Sequence, residues 1–213
     1  MQRIALVGSR ELSERLIHYV ESTGWGHVAG LFDDYEPAGS SQHGKEILGD
    51  LAAIPRLHAA GAFDALLLAI GYRDRTLRAR VYEELRARGM PFATFIHPRA
   101  TIDPSAVIGA GSIVLTDCTI EMRARIGENV FLSPRCFLSH DVEIGDHTYC
   151  APAIALAGRT RVGRGCFLGI GTIAIEGVTI GDGARSAAGA VIIAEAPAGA
   201  LVAGVPAVVK RPS

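Results

Sequence analysis

Aromatic residues are scarce in this 213-residue chain, where Phe, Trp and Tyr together make up 6% of the sequence. A charge excess of one sign is also lacking: the net charge is −1, which argues against a basic nucleic-acid-binding surface and against attachment to anionic membranes. No apolar run approaches the roughly 20 residues of a transmembrane helix, and the short run after Met1-Gln2-Arg3 does not resemble a signal peptide. We therefore expect a cytoplasmic protein that neither inserts into membranes nor binds nucleic acid.

The four cysteines include no CxxC pair, so the sequence favours reduced, buried thiols over a metal site or a disulfide framework. Glycine, in contrast, is abundant with 25 residues, and hydrophobic residues make up 49% of the chain, enough for a packed core. Many glycines and few aromatics favour an architecture with tight corners over a conventional layered core.

Strand-like and helix-like segments alternate from Met1 to about residue 97. We predict strands at residues 4–7, 27–32, 65–70 and 92–96, and helices at residues 11–23, 50–60 and 73–88. This order is typical of a small parallel, Rossmann-like sheet with helices on its faces. Ligands of such sheets bind beyond the carboxyl ends of the strands, which here are Gly8-Ser9, Asp33-Asp34 and Gly71-Tyr72.

The period changes to six from Ile102 onward. Every sixth residue from Ile102 to Ile192 is apolar except Ser186, and the residue four places later is always small or β-branched. This period is typical of a prism-shaped solenoid, in which each hexapeptide forms one wall and 18 residues complete a coil. The cysteines follow the repeat as packing residues. We therefore predict two domains, residues 1–97 and residues 98–213, the second being a β-helix.

An 18-residue coil stacks each residue on the residue 18 positions later, about 4.8 Å away. His140 comes two positions after an apolar residue, so we expect it to point outward, above Met122 and beneath Gly158. Its neighbour Asp141 can hold the imidazole and raise its basicity. Acyl transfer from a thioester needs such a base, and it needs a donor for the developing oxyanion, which the backbone N–H of Gly158 can supply.

The other histidines are less well placed for this chemistry. His97 precedes Pro98 at the domain junction, where a structural role is expected, and His147 lies on another part of the helix wall. The remaining four lie in the first domain: His18, His27, His43 and His58.

Several segments resemble those of bacterial hexapeptide acyltransferases, in particular the nucleotide-sugar N-acetyltransferases of the bacillosamine and perosamine type and their sialic acid O-acetyltransferase relatives. The resemblance covers nearly the whole chain and is carried by Leu31-Phe32-Asp33-Asp34, Leu68-Ala69-Ile70-Gly71, Ile96-His97-Pro98, the segment 139–145 and Ala203-Gly204-Val205-Pro206-Ala207. It implies left-handed coils and a homotrimer with acetyl-CoA in the groove between neighbouring β-helices. No metal is expected.

The resemblance also implies roles for individual residues. The histidine matching His140 is the general base, the acidic residue matching Asp141 supports it, and the amide matching Gly158 faces the thioester carbonyl. The nucleotide-sugar is expected at Asp33, Asp34, Gly71 and Tyr72 of the first domain, and acetyl-CoA at Tyr149, Gly158, Ile170 and Pro206.

Two features depart from these relatives. They usually carry a Gly-His-Gly loop after the first strand, whereas this chain has Gly8-Ser9-Arg10-Glu11-Leu12-Ser13, in which Arg10 can still meet a phosphate. Where some relatives have a second histidine near the acyl site, this chain has Tyr149. The predicted helix 73–88 carries four arginines, which form either a solvated face, the interpretation we favour, or a further phosphate contact: Arg73, Arg75, Arg78 and Arg80.

These observations predict an acetyl-CoA-dependent N-acetyltransferase that acts on the 4-amino group of a UDP-, GDP- or dTDP-linked 4-amino-4,6-dideoxy sugar for surface glycan synthesis. Acetylation of a sugar hydroxyl would use the same base and donor, and is the alternative. A carbonic-anhydrase-type β-helix needs three histidines, but the predicted helix carries only His140 and His147. A non-catalytic scaffold would tolerate His140→Ala without loss of turnover.

Overall fold

The structure, a computed structural model, describes residues 1–210. It consists of two compact units, Met1–Phe95 and a second unit that begins at Ile96. The division falls two residues before the domain boundary that the sequence predicts. The last residues of the predicted second domain, 211–213, lie outside the described part of the chain.

The first unit, all of whose residues are described, is built on a five-stranded sheet in the order β3-β4-β2-β1-β5. Its strands are β1 (Arg3–Val7), β2 (His27–Phe32), β3 (Ser41–Gln42), β4 (Lys45–Gly49) and β5 (Ala65–Leu68). Its α-helices are α1 (Glu11–Ser22), α2 (Ile54–Ala59) and α3 (Arg75–Ala87). Strands β4, β2, β1 and β5 are parallel, which confirms the predicted sheet. The β3–β4 hairpin was not predicted, because β3 is only two polar residues long.

The central strands of this sheet are apolar because helices cover both faces of a parallel sheet. Leu6 of β1 and Leu67 of β5 are fully buried, as is Leu16 of α1. The chain leaves β1 at Gly8, which has a φ of +106° and lies so close to Ala69 that an added Cβ would be 3.2 Å from its carbonyl oxygen. Glycine is therefore required where the carboxyl ends of β1 and β5 come together.

The second unit is a left-handed parallel β-helix with three walls. Wall 1 consists of β6 (Phe95–Ile96), β9 (Ile113–Val114), β12 (Phe131–Leu132), β15 (Tyr149–Cys150), β18 (Phe167–Leu168), β21 (Arg185–Ser186), β23 (Leu201–Ala203) and β24 (Val208–Lys210). Wall 2 consists of β7 (Thr101–Ile102), β10 (Thr119–Ile120), β13 (Phe137–Leu138), β16 (Ala155–Leu156), β19 (Ile173–Ala174) and β22 (Val191–Ile192). Wall 3 consists of β8 (Val107–Ile108), β11 (Arg125–Ile126), β14 (Glu143–Ile144), β17 (Arg161–Val162) and β20 (Thr179–Ile180).

The pairing of these strands confirms the 18-residue coil. Ile120 pairs with Leu138, and Leu138 pairs with Leu156, each in parallel. The side chains of all three are buried in the interior of the helix. The polar exception to the repeat, Ser186, is also buried, and its hydroxyl accepts the N–H of Gly169 at 2.9 Å and hydrogen-bonds with Thr172 at 2.7 Å. A serine is tolerated there because its polar atom is satisfied.

The predicted strand 92–96 is wrong as a single element. Phe92 makes an isolated bridge with Leu66 of the first sheet, whereas Phe95–Ile96 is the first strand of wall 1. Ile96 is in phase with the six-residue repeat, and both it and Ala100 pack against the core of the β-helix. The helix therefore begins one hexapeptide before Ile102.

The cysteines are packing residues, as predicted: Cys118, Cys136, Cys150 and Cys166 are buried and free. Burial raises the pKa of the Cys166 thiol to about 11. Within residues 1–210, no cluster of three His, Cys, Asp or Glu side chains is arranged to hold a metal ion. No helix in the same range is long and apolar enough to cross a membrane.

Candidate functional site

The candidate active site lies on the turn that joins β13 to β14, at the corner between wall 2 and wall 3. His140 points outward from this turn, as predicted, with 39% of its side chain exposed, and the side chain of Asp141 is 34% exposed. Asp141 has a φ of +58°, a left-handed conformation that Asp adopts more readily than most other residues with a side chain. The corner thus presents both polar side chains to an approaching ligand.

Asp141 and His140 are hydrogen-bonded. The Nδ1 atom of His140 lies 2.9 Å from Oδ2 of Asp141. Because an ionised carboxylate only accepts hydrogen bonds, Nδ1 is the donor, and the neutral imidazole therefore carries no proton on Nε2. The arrangement leaves Nε2 as a proton acceptor, which is what a general base requires.

Gly158 lies one coil above His140, as the 18-residue stacking predicts. A Cβ added to Gly158 would be 2.5 Å from Cε1 and 2.6 Å from Nε2 of the imidazole, so only glycine leaves room for the ring in this position. Gly158 is buried, and its N–H donates to no acceptor within residues 1–210. A buried N–H without an acceptor is unfavourable by about 1–3 kcal/mol, so a ligand oxygen that accepts its hydrogen bond is favoured here.

Two charged residues of the coil beneath complete the corner, and the sequence analysis missed both. Arg123 donates to both carboxylate oxygens of Asp141, from Nε to Oδ1 at 2.7 Å and from Nη2 to Oδ2 at 2.9 Å. Glu121 accepts the N–H of His140 at 3.0 Å and the hydroxyl of Ser139 at 2.7 Å through the same oxygen, Oε2. The Arg123 guanidinium, and secondarily His140, hold the pKa of Asp141 well below the usual range of an aspartate.

The 18-residue spacing of the coil is the sequence signal that could have identified Arg123 and Glu121. Arg123 is 18 positions before Asp141, and Glu121 is 18 positions before Ser139. The same stacking rule that placed Gly158 above His140 therefore also places both charges beneath it.

The residues predicted to contact acetyl-CoA, apart from Gly158, do not gather around His140 within one chain. Tyr149 belongs to wall 1, where it is 7% exposed and its ring lies between Phe131 and Phe167 in an aromatic stack. Ile170 is 53% exposed on the turn between β18 and β19, at the corner of walls 1 and 2. Pro206 follows a cis peptide bond in the connection between β23 and β24. Contact of these three residues with the coenzyme stays a prediction. The buried position of Tyr149 does not support it.

The predicted substrate residues of the first unit share one edge of its sheet, at the carboxyl ends of β2, β1 and β5. Asp33 is only 8% exposed there, and its carboxylate accepts three hydrogen bonds. Ser9 donates two of them, from its N–H at 3.0 Å and its hydroxyl at 2.7 Å, and the N–H of Tyr35 donates the third at 2.9 Å. Asp33 therefore joins the loop after β1 to the loop after β2.

His43 is a further polar residue at this edge that the sequence analysis assigned no role. It lies in the turn of the β3–β4 hairpin, with a φ of +50°. Its Nε2 donates to the carbonyl oxygen of Ser9 at 2.9 Å. The loop that stands in place of the Gly-His-Gly sequence is thus held by Asp33 on one side and by His43 on the other.

The other predicted substrate residues are more exposed. Asp34 accepts the N–H of Leu51 at 2.9 Å. Gly71 precedes the 3-10 turn Tyr72–Asp74, and Tyr72 is 45% exposed. Arg10 precedes α1 and is exposed. These residues lie at the predicted edge, and their contact with a nucleotide stays a prediction.

The interpretation of the four arginines as a solvated face is wrong for Arg78. Its side chain is 1% exposed, and Nη1 donates to the carbonyl oxygens of Leu68 at 2.9 Å and Ile70 at 3.2 Å. A guanidinium is retained in this buried place because it satisfies carbonyl groups at the end of β5. Arg80, in contrast, is exposed, and its Nε lies 3.9 Å from Oε1 of Glu84 on the same helix.

Comparisons with known proteins agree with this architecture. No family model matches the chain. A mutant GDP-perosamine N-acetyl transferase from Caulobacter crescentus, solved in complex with CoA and GDP-perosamine, is 30% identical and has a TM-score of 0.91, with 100% of this chain and 98% of that chain covered. The acetyltransferase domain of PglB from Neisseria gonorrhoeae FA1090, in complex with acetyl coenzyme A, is 26% identical with a TM-score of 0.87, covering 98% and 99% of the two chains.

WeeI from Acinetobacter baumannii AYE shares the fold, with a TM-score of 0.84 at 20% identity and coverage of 99% of this chain and 100% of that chain. The similarity to these proteins extends over both units, and the 30% identity to the Caulobacter crescentus enzyme is measured over 100% of this chain. The chain therefore belongs to the hexapeptide-repeat nucleotide-sugar acetyltransferases, and it is an acyltransferase.

Proposed function

We propose that the protein transfers the acetyl group of acetyl-CoA to the 4-amino group of a nucleotide-linked 4-amino-4,6-dideoxy sugar. The observation that carries this proposal is the pair formed by His140 and Gly158. The imidazole Nε2, which Asp141 does not engage, would lie 2.6 Å from a Cβ at Gly158, and the N–H of this buried glycine has no acceptor within residues 1–210. The Caulobacter crescentus and Neisseria gonorrhoeae structures, which contain CoA or acetyl coenzyme A, support acetyl-CoA as the donor.

In the proposed reaction, the amino nitrogen of the sugar attacks the thioester carbonyl carbon, and Nε2 of His140 takes the proton that this nitrogen loses. The carbonyl oxygen becomes an oxyanion, to which the N–H of Gly158 donates. Collapse of the tetrahedral intermediate then breaks the C–S bond, and the CoA sulfur leaves with the proton that His140 returns. Asp141 stabilises the imidazolium while it holds this proton.

The acceptor nucleotide is proposed to bind at the carboxyl edge of the first unit's sheet. Ligands of parallel sheets bind at such edges, and the loops after β1, β2 and β5 offer Arg10, Asp33, Asp34, Gly71 and Tyr72 there. GDP-perosamine in the Caulobacter crescentus structure supports a nucleotide-linked amino sugar as the substrate class. Both substrates are soluble metabolites, so we propose that the reaction occurs in the cytoplasm.

A homotrimer is part of the proposal, with the acyl site closed by a neighbouring subunit. The half-exposed His140 lies on an open corner, which by itself cannot exclude water from a reacting thioester. Apolar side chains that are 40–49% exposed line the same corner and the adjoining wall 2: Phe137, Ile173, Ile175 and Ile193. Apolar surface of this kind supports association with a second copy of the chain.

The experiment is an acetyl-transfer assay with acetyl-CoA and GDP-, UDP- and dTDP-linked 4-amino sugars, each beside the matching sugar with a 4-hydroxyl group. Turnover of an amino sugar, and its loss by about 10²–10⁴-fold in His140→Ala, is expected because a general base contributes on this scale. Turnover of only the hydroxyl sugars would replace N-acetylation by O-acetylation. Unchanged turnover in a folded His140→Ala variant would contradict the role of the base.

A further inference from the structure

The carboxylate of Asp141 has more partners than the imidazole alone. Arg123, from the coil beneath, binds both of its oxygens, and one of them, Oδ2, is shared between Arg123 Nη2 and His140 Nδ1. A guanidinium that meets a carboxylate with two parallel N–H groups fixes its plane as well as its distance. The orientation of the imidazole is therefore set by a chain of three side chains on two successive coils.

Asp141 needs this support because of its place in the fold. It lies on an exposed turn, with 34% of its side chain accessible, and Arg123, which binds its carboxylate, is itself 56% exposed. The only other described side chain bonded to it is His140 itself. Without a third group, rotation of the carboxylate into solvent would leave the imidazole free to turn.

Arg123 is not needed to keep Asp141 ionised. An ordinary aspartate has a pKa of about 3.9, so the carboxylate is charged near neutral pH whether or not an arginine is present. At the pH of the reaction, the contribution of Arg123 is therefore geometric rather than a change in protonation.

We propose that Arg123 is a positioning residue for acyl transfer, which acts through Asp141 to hold the His140 imidazole with Nε2 against Gly158. The inference rests on the proposed role of His140 as the base. It assigns to Arg123 no contact with either substrate.

The chain offers a matched control. Arg99 and Asp117 also form an ion pair on two successive coils, 18 residues apart and each three positions after an inward residue, at the corner between walls 1 and 2. Arg99 Nη2 lies 2.8 Å from Asp117 Oδ1, and the pair has no histidine corresponding to His140. Arg99→Ala thus removes an arginine–aspartate ion pair between successive coils at a different corner from His140.

The test compares Arg123→Ala, Arg123→Lys, Asp141→Asn, the Arg123→Ala/Asp141→Asn double variant and Arg99→Ala by steady-state kinetics. Arg123→Ala is expected to lower kcat on the order of tenfold, the scale on which partners that orient a histidine act. KM for both substrates should change little. Lysine should restore only part of the rate, because it retains the charge and lacks the fork. The double variant should be no slower than Asp141→Asn.

The inference would be overturned by an unchanged kcat in Arg123→Ala, by additive losses in the double variant, or by an equal loss in Arg99→Ala. A second measurement does not depend on any substrate: the Nδ1–H signal of His140 in proton–nitrogen NMR. We expect it to be present in the wild type, lost by exchange with water in Arg123→Ala, and retained in Arg99→Ala. Wild-type protein that acetylates none of the acceptors would contradict the proposed function alone, while this signal would still decide the role of Arg123.

Discussion

Substitution of Gly158 by alanine isolates the geometry of the candidate site from its chemistry. The new methyl group would lie 2.5 Å from Cε1 and 2.6 Å from Nε2 of His140. Carbon atoms in contact prefer a separation of about 3.5–4.0 Å, so the ring must retreat by about 1 Å. The φ of Gly158 is not in the left-handed region, so alanine adds no backbone strain, and the imidazole is the group that moves.

A displacement of about 1 Å at a reacting group is worth about 10²-fold in rate, which corresponds to about 2.7 kcal/mol of activation free energy. We expect Gly158→Ala to lower kcat by this factor. The melting temperature should change little, because His140 is half-exposed and can turn toward solvent.

The assay is steady-state acetyl transfer by Gly158→Ala and wild-type enzyme under the same conditions, with unfolding followed by circular dichroism. Binding of CoA by isothermal titration calorimetry separates a misplaced base from a blocked coenzyme site. A folded Gly158→Ala variant with kcat within about threefold of the wild type would refute the proposed role of Nε2 of His140 beside Gly158, because the loss expected from the displacement is far larger.

Three further predictions concern Glu121, Asp141 and Ser186. Glu121→Ala should lower kcat severalfold with little change in KM in steady-state assays, because the His140 N–H loses its acceptor; an unchanged kcat would exclude that support. The lowered pKa of Asp141 means that its contribution to stability is present above its unfolded pKa of about 3.9 and is lost only as the pH falls through the still lower folded value. If kcat/KM falls with decreasing pH above pH 5, another group must cause the fall. Asp141→Asn should therefore lower the maximal kcat/KM and still show this fall, and a profile of Asp141→Asn without the fall would contradict the assignment. Ser186→Ala should lower stability by about 1–3 kcal/mol in thermal unfolding, because the buried N–H of Gly169 loses its acceptor, and should leave kcat unchanged; an unaltered melting temperature would show that water replaces the hydroxyl.

Much of the β-helix is predictable from the sequence because its contacts are periodic. Once the period of six is recognised, paired residues are 18 positions apart from the β7–β10 pair to the β19–β22 pair, and Ile120, Leu138 and Leu156 must stack. The period does not predict the last parallel pair, β21–β23, whose residues are 16 positions apart. The same rule places Gly158 on His140. The strand at residues 92–96 was predicted wrongly because the apolar composition of a short segment does not reveal which of two sheets it joins.

The first unit is less predictable, since its site depends on contacts between loops that no period relates. The hydrogen bonds of Asp33 to Ser9 and of His43 to Ser9 join residues 24 and 34 positions apart. The hairpin that carries His43 begins with only two polar residues, Ser41 and Gln42, which have no strand pattern. The burial of Arg78 depends in the same way on the carbonyl groups at the end of β5, which composition alone does not predict.

The two units therefore differ in how a substitution would change function. At the corner of the β-helix, His140 and Asp141 are contacted by residues of the coils above and below. A change at position 121 or 158 therefore reaches His140 directly, and a change at position 123 reaches it through Asp141. Substitutions at these three positions can change the orientation of His140 without changing the six-residue repeat, because the positions lie on the outside of the β-helix and the apolar residues of its interior stay the same. In the first unit, Ser9 donates to Asp33 and accepts from His43, which lie on two separate loops, so a change in either loop would move the loop that stands in place of the Gly-His-Gly sequence. On the proposed function, substitutions in these loops are expected to change acceptor preference and to leave the acyl transfer proposed at His140 unchanged.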